Sequence, residues 1–364
     1  MASSPAGKVN VGIVGAGNIS DIYLKNLSAM FDNINVVGIA DLVVERAQDR
    51  AEKFGVGAFS VDELLAHPDV EIVLNLTIPA VHAEIAGKAI ANGKSAYNEK
   101  PLATNREDGK ALLAEASAQG VLVGSAPDTF LGGGLQSARK YLDDGLIGAP
   151  VAVSAQMLGH GMESWHPDPS FFFQPGAGPL FDVGVYYVQA LASMIGPVAR
   201  VASMARASFP ERIVGNGPKL GEKIAVNTPT HIMSSLEFEN GVIGALGASF
   251  DVWETTNSTL VIYGSEGTLR LPDPNTFGGP LQLLKGGETK WTDLPLVYGN
   301  TENSRGLGVW DMANGIQTGE AVRASGELGY HVLDIMTAVL DSAEQGRHVE
   351  VESTVDRPDL LPLA

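Results

Sequence analysis

Cysteine is absent from all 364 residues. That removes disulfides, thiolate–zinc sites and cysteine nucleophiles together, and suits a reducing compartment. Positive charge is scarce: 24 Lys and Arg against 42 Asp and Glu leave a formal net charge of −18 and a pI near 4.7. So acidic a surface repels nucleic acid and anionic lipid, and neither is expected as a partner. No run reaches the roughly 18 apolar residues of a membrane span; the nearest, Val183–Ala199, is interrupted by Gln189, Ser193 and Pro197. The start, Met1–Lys8, lacks the apolar core of a secretory leader, so a soluble, cytoplasmic protein is expected. There is no internal repeat, no G-x-S-x-G nucleophile elbow and no G-x-x-x-x-G-K-[ST] phosphate loop.

What is present is core-forming material, 45% apolar and only 18% charged, in a length that suggests two domains. The first third alternates short apolar runs with helical patterns. Val9–Val14, Asn35–Ala40, Glu71–Ile78, Ser95–Asn98 and Val121–Ser125 read as strands, nearly continuous in apolar character. Such runs fit parallel strands covered on both faces. Ser60–Glu63 and Thr104–Glu107 match the capping box, and Gly93 ends the helix that begins near His82. The pattern predicts a doubly wound parallel sheet over residues 1–127. From 128 to 364 it changes: a helix over 133–146, a strand Val151–Leu158, a loop over 159–178, and a helix from Pro179 to Met194. Strands follow from Val198 to Leu284 with turns at Glu239–Gly241 and Gly264–Gly267, then a loop around Tyr298–Gly308 and a helix from Ser325 to Glu344. Grouped strands predict an α+β domain on a large, mostly antiparallel sheet.

Gly15-Ala-Gly17-Asn18-Ile19-Ser20 closes the first strand and opens the first helix. It occupies the G-x-G-x-x-G places, with a small Ser20 third. One glycine serves the tight turn and the next a close approach of backbone to pyrophosphate, and the helix N-terminus offers its free N–H groups. Asp41, about twenty residues on at the end of the second strand, can accept both ribose hydroxyls and would repel a 2′-phosphate. The expected cofactor is therefore NAD in preference to NADP, with nearby Arg46 the one feature that would suit the phosphate. A turn aspartate capping the next helix is the plainer alternative for Asp41.

With these residues, the chain resembles the Gfo/Idh/MocA family of oxidoreductases (glucose–fructose oxidoreductase, inositol dehydrogenase and rhizopine catabolism proteins). The resemblance rests further on Thr77-Ile78-Pro79 followed by His82, on Tyr97-Asn-Glu99-Lys100-Pro101-Leu102, on Gly178–Tyr186, and on the late Ser304–Gly308 and Asp311-Met312 pieces. It implies a Rossmann domain followed by a substrate-binding and oligomerisation domain with an open sheet. It also implies a sugar, polyol or glycoside as substrate, and a homodimer or homotetramer. Cofactor contacts are implied at Gly15, Gly17, Asn18, Ile19, Asp41, Arg46, Thr77, Ile78, Pro79, His82, Glu99, Lys100 and Asp128.

Pro101 forces Lys100 into an extended backbone at the carboxyl edge of the sheet, where ligands bind. A solvated Lys–Glu pair is the alternative; the resemblance implies a catalytic lysine. Asp182 and Tyr186, spaced i, i+4, share a helix face. Tyr186 stands where many members carry histidine and others tyrosine. A phenol titrates near 10, and a neighbouring ammonium lowers that value. Lys100, Tyr186 and Asp182 are thus the expected catalytic group: Tyr186 takes the alcohol proton, Lys100 tunes it, and Asp182 fixes a neighbouring hydroxyl. Lys100, Asp128, Trp165, His166, Asp182, Tyr186 and Arg305 are the substrate candidates. Phe171, Phe172 and Phe173 read better as a small core beneath the loop. No metal is expected, since His160, Glu163, His166 and Asp168 match no ligand spacing. Two rival functions use the same fold: an NAD-dependent glycoside hydrolase working by transient oxidation, elimination, water addition and re-reduction, and a non-catalytic NAD-binding regulator.

Overall fold

A computed structural model of the chain describes residues 7–255 and 259–363; residues 1–6 of the amino-terminal stretch read above lie outside it. Two compact units emerge. One holds the described residues up to Thr129 together with Asn303–Leu333; the other holds Phe130–Glu302 and the described residues from Asp334 onward. The expected division at 127/128 is therefore refined: 303–333, part of the anticipated second domain, packs with the first unit.

In the first unit β1 (Val9–Val14), α1 (Ser20–Ala29), β2 (Ile34–Ala40), α2 (Val44–Phe54), β3 (Gly57–Phe59), α3 (Val61–Ala66), β4 (Ile72–Asn75), α4 (His82–Ala91), β5 (Ser95–Asn98), α5 (Arg106–Gln119) and β6 (Val123–Ser125) alternate. The six strands run parallel in the order β3-β2-β1-β4-β5-β6. Every residue of β1, β4 and β5 is buried, the polar Asn10, Asn75, Ser95 and Asn98 included, as expected for strands covered on both faces. The short β3 went unread because three residues carry too little periodicity. β4 ends at Asn75, before the expected Ile78, because Leu76–Ile78 turns away into loop. The Ser60 capping box forms as expected. The one expected at Thr104 does not: Asn105 caps α5, its side chain accepting from the Asp108 N–H. Asn and Thr compete for such a position, and Asn is the stronger N-cap.

The second unit contains α6 (Gly133–Asp143), β7 (Pro150–Leu158), α7 (Val185–Met194), β8 (Val198–Arg206), β9 (Glu211–Ile213), β10 (Lys223–Ala225), β11 (His231–Phe238), β12 (Ile243–Ser249), β13 (Leu260–Gly264), β14 (Gly267–Leu271), β15 (Leu281–Lys285) and β16 (Thr292–Leu294). With the terminal β17 (Val349–Glu350) these build a nine-stranded sheet ordered β16-β15-β14-β13-β7-β12-β11-β8-β17, while β9 and β10 pair separately. Only β7 and β12 run parallel within it. In β11 Ile232, Ser234, Leu236 and Phe238 are buried and alternate with more open residues, the period-2 pattern of a sheet packed on one face. α6 packs on β14 and α7 on β7.

α8 (Leu307–Thr318) was not anticipated, since its start hides in a Gly-rich stretch, and α9 spans Gly326–Gln345. α8 packs on β1 and β6 of the first unit. Gly308 is required there, because a Cβ would collide with the Tyr97 hydroxyl. The connection to α9 is held by Asp311, fully buried, which pairs with Arg323 Nη1 at 2.7 Å and accepts the backbone N–H groups of Arg323 and Ala324. Among the described residues no helix is long and apolar enough to cross a membrane. Removing one partner of a buried ion pair strands the other, so Asp311→Ala is expected to cost about 3–5 kcal/mol. Urea unfolding measures this; a loss below about 1 kcal/mol would assign the pair no structural weight.

Candidate cofactor and catalytic sites

The glycine turn is built as a dinucleotide requires. Gly15 adopts φ +108° and its N–H donates to Ala40 O. A Cβ on Gly15 would lie 2.6 Å from the Leu76 backbone, so only glycine lets β1 and the β4 loop meet. Around Gly17, by contrast, a Cβ would meet nothing within 4 Å. Backbone and open space therefore coincide at the N-terminus of α1, where free N–H groups attract phosphate. Ser20 is fully buried and its hydroxyl donates to Gly17 O at 2.7 Å, which draws the first helical turn under the loop. Asn18 is exposed and Ile19 half-buried beside it.

Asp41 accepts the Ala16 N–H at 2.7 Å on one oxygen and the Val43 N–H at 2.8 Å on the other. It thus braces the turn after β2, but it does not cap α2, whose N-cap is Val43 without a side-chain cap. Each carboxylate oxygen still keeps a second lone pair for a ribose hydroxyl. Leu42 and Ile78, at the carboxyl ends of β2 and β4, leave 92% and 66% of their surfaces in water. Apolar side chains so placed suit an adenosine moiety, and the residues fit the dinucleotide. Arg46 is exposed on α2.

Lys100 sits half-buried just beyond β5, on the same carboxyl edge. Its loop is tied at every side by buried polar groups. Asn75 Nδ2 donates to Asn98 Oδ1 at 3.0 Å and to His82 O at 3.1 Å, and Asn98 Nδ2 donates to Leu102 O at 2.9 Å. The Thr77 hydroxyl donates to Asn75 Oδ1 at 2.6 Å. His82 is fully buried, with Nδ1 2.7 Å from Pro101 O and Nε2 3.1 Å from Thr77 O. Burial pushes its pKa down, against the pull of those carbonyls. His82 is therefore a brace between the Thr77–Pro79 and Lys100–Pro101 loops. Glu99 is held in the same loop: one oxygen accepts the Tyr23 hydroxyl at 2.9 Å and the other the Lys100 N–H at 2.8 Å.

Asp128 is also turned inward. It is 1% exposed, and one oxygen accepts the N–H groups of Gly306 and Gly308 at 2.9 and 3.0 Å. It anchors the start of α8 through partners 178 and 180 residues away, which are invisible to local reading. Desolvation raises its pKa to about 6, against those two hydrogen bonds and the Arg305 charge. Arg305 is half-buried; its Nη1 donates to Asn303 Oδ1, and its carbonyl, like that of Asn303, accepts from Asn26 Nδ2 of α1 at 2.9 Å. Tyr23 and Asn26, one turn apart on α1, went unread as site-supporting residues, although their i, i+3 spacing was a usable signal.

In the second unit the expected single helix is two: a π turn over Leu180–Gly184 and then α7. A wider turn of this kind recurs at functional sites. It carries Asp182, half-buried, while Tyr186, buried, opens α7. Tyr187 is core as read, its hydroxyl 3.3 Å from Asp273 and its pKa raised by desolvation. In the loop over 159–178 Trp165 is 58% exposed, and the His166 ring packs edge-on against Trp165 and Phe172 while its Nδ1 accepts the Asp168 N–H. Phe172 and Phe173 are buried as expected, but Phe171 is 49% exposed. The loop is held by Arg212, which pairs with Glu163 and with Asp251 (2.9 Å) and donates to the carbonyls of His160 and Phe250. Glu163 and Asp168 are thus engaged by Arg212 and Lys219. Among the described residues no group of three or more His, Cys, Asp or Glu is gathered as a metal site.

The raised pKa of Asp128 has a definite sign. The folded protein holds this proton more tightly than the unfolded chain, so the stability it contributes is complete below the ordinary carboxylate pKa and is lost as pH rises through about 6. Asp128→Asn keeps an acceptor without the charge. Its melting temperature relative to the parent is expected to rise between pH 4.5 and 7.5; a difference that stays flat over that range would remove the linkage.

Comparison with known proteins places this architecture. Residues 9–126 match the model described as oxidoreductase family, NAD-binding Rossmann fold, and residues 135–270 match the GFO/IDH/MocA C-terminal domain. Levoglucosan dehydrogenase of Pseudarthrobacter phenanthrenivorans is 25% identical over 97% of this chain and 99% of its own length. Trans-1,2-dihydrobenzene-1,2-diol dehydrogenase of Mus musculus is 26% identical over 79% of this chain and 80% of its own. A solved levoglucosan dehydrogenase in complex with NADH and L-sorbose superposes with a TM-score of 0.82, at 23% identity, covering 95% of this chain and 99% of that one, and so has the same fold. A Rossmann turn that only glycine can make, a braced Glu-Lys-Pro loop and a π turn leading into the tyrosine helix accompany both family matches, and the chain belongs to the Gfo/Idh/MocA family of NAD-binding oxidoreductases.

Proposed function

We propose that the chain oxidises a secondary alcohol of a sugar, polyol or glycoside with NAD⁺, and that Lys100, Asp182 and Tyr186 serve that one reaction. The observation that carries the reading is the half-buried Lys100 on a loop braced from every side, on the same strand edge as the glycine turn. A group so fixed meets what catalysis by positioning asks of its support. The nicotinamide supplies the two-electron acceptor when bound. The protein's part is proton management. The Lys100 ammonium favours the phenolate form of Tyr186, that phenolate accepts the alcohol proton and becomes the phenol, and Asp182 accepts from an adjacent hydroxyl to hold the substrate's register. Trp165 offers a face for a sugar ring, His166 a hydrogen bond to a hydroxyl, and Arg305 a cationic contact. The named relatives, which act on an anhydrosugar and a dihydrodiol, support a cyclic substrate bearing vicinal hydroxyls.

The open face of the large sheet is the proposed surface of a homodimer or homotetramer. There Met204 lies opposite Met233 in register, 82% and 45% exposed, beside the small Ala202, Ser235 and Ala245. An apolar patch with small neighbours accepts a second copy of itself across a two-fold axis. The cysteine-free composition supports the cytoplasm as its compartment.

The deciding experiment follows absorbance at 340 nm with NAD⁺ and NADP⁺ against free sugars, inositols, anhydrosugars and glycosides, with product analysis for released aglycone. NADH accumulating with at least one polyol is expected. Aglycone release without net NADH would assign the redox-cycling hydrolase instead. Tyr186→Phe should lower kcat by about 100-fold or more while NADH still binds; near-normal turnover would take Tyr186 out of the scheme. Met204→Asp is expected to shift the protein to monomer in sedimentation velocity, and an unchanged assembly would exclude this face.

A further inference from the structure

We propose that Tyr23 is a positioning residue for Lys100: from helix α1 its hydroxyl holds the Glu99 carboxylate, which in turn fixes the backbone of the lysine. The inference rests on the reading of Lys100 as the catalytic lysine.

Glu99 is pinned at three points. Its N–H donates to Asn75 O at 2.9 Å, one carboxylate oxygen accepts the Lys100 N–H at 2.8 Å, and the other accepts the Tyr23 hydroxyl at 2.9 Å. Tyr23 is completely buried and Glu99 is 9% exposed. A phenylalanine would fill the same core volume, so packing alone does not call for the hydroxyl. A buried hydroxyl without a partner is destabilising, and a buried carboxylate more so. Each answers the other's need. Desolvation, reinforced by the charges of Glu99 and Asp128, raises the Tyr23 pKa, so the phenol stays protonated and donates.

The position of Tyr23 gives the bond its reach. Ser20 opens α1 and is tied to Gly17 of the glycine turn; Tyr23 follows one helical turn later. A single side chain therefore joins the helix that receives the dinucleotide phosphates to the residue preceding Lys100. Asn26, one further turn along, holds the carbonyls of Asn303 and Arg305 in the same manner. The helix that binds the cofactor is thus also the frame on which Lys100 and the Arg305 segment are hung.

The test reads the Lys100 amine directly and needs no substrate. Purified protein is labelled with trace acetic anhydride with and without saturating NADH, and acetylation of each lysine is quantified by peptide mass spectrometry, with exposed Lys88 and Lys223 as internal standards. NADH affinity is measured in parallel by fluorescence. In the parent, NADH is expected to slow Lys100 acetylation about tenfold; in Tyr23→Phe the protection should fall below about threefold while the NADH Kd moves by less than about threefold, because a misplaced group loses alignment before the cofactor loses its seat. Glu99→Gln should lose protection in the same way, and the double variant should be no worse than Glu99→Gln alone, as two residues acting in series require. Glu99→Gln also carries the test should Tyr23→Phe not fold. Full protection in Tyr23→Phe overturns the positioning role while leaving the lysine reading intact. No protection in the parent means that Lys100 is not beside the dinucleotide, and overturns both.

Discussion

A buried amide pair, Asn75 against Asn98 across β4 and β5, is the interaction on which the first unit's chemistry depends. Both side chains are fully buried, and each has further polar partners: the His82 carbonyl and the Thr77 hydroxyl for Asn75, the Leu102 carbonyl for Asn98. Polar groups in a strand core destabilise unless every donor and acceptor is met, and a satisfied network then admits one arrangement only. Here that arrangement is the course of the Thr77–Pro79 and Lys100–Leu102 loops. His82 closes the network from the other side by facing both loops at once. The lysine is thereby carried on rigid elements although it sits in a loop.

The second unit meets the same requirement by different means. Its tyrosine helix begins with a π turn, which alters the register of Asp182 relative to an ordinary helical start. Its aromatic loop is held by Arg212, whose guanidinium binds two carboxylates and two carbonyls while lying near the rings of Phe173 and Phe209. A guanidinium offers five donors in a fixed fork, so one residue can organise an irregular segment that has no ladder of its own. Trp165 and Phe171 stay open to solvent on the loop that this fork secures.

Residues expected at the ligand divide by what burial does to them. Gly15, Gly17 and Asp41 hold the geometry that their sequence pattern implies, since the turn, the strand end and the helix start are all local. His82, Glu99 and Asp128 are equally good candidates by chemistry, and each is tied within the protein: His82 and Asp128 to backbone groups, Glu99 to the Lys100 N–H and the Tyr23 hydroxyl. Polar type and sheet edge are visible in a sequence; the direction of the side chain is not. Arg212 carried no signal at all, because its partners come from separate segments 38 to 52 residues away.

Strand periodicity and the glycine turn with its aspartate were enough to define a Rossmann unit and its cofactor class, because each is a short-range pattern dictated by backbone sterics and alternating burial, while the family was legible only as a resemblance carried by motifs such as Glu99-Lys100-Pro101. Only the folded chain decided that 303–333 returns to that unit, that an acid at position 128 serves as an anchor, and that α1 supports the lysine through Tyr23. Those outcomes depend on contacts between distant segments. Their energies come from desolvating polar groups in pairs, and which groups become paired is settled only when the whole chain has packed.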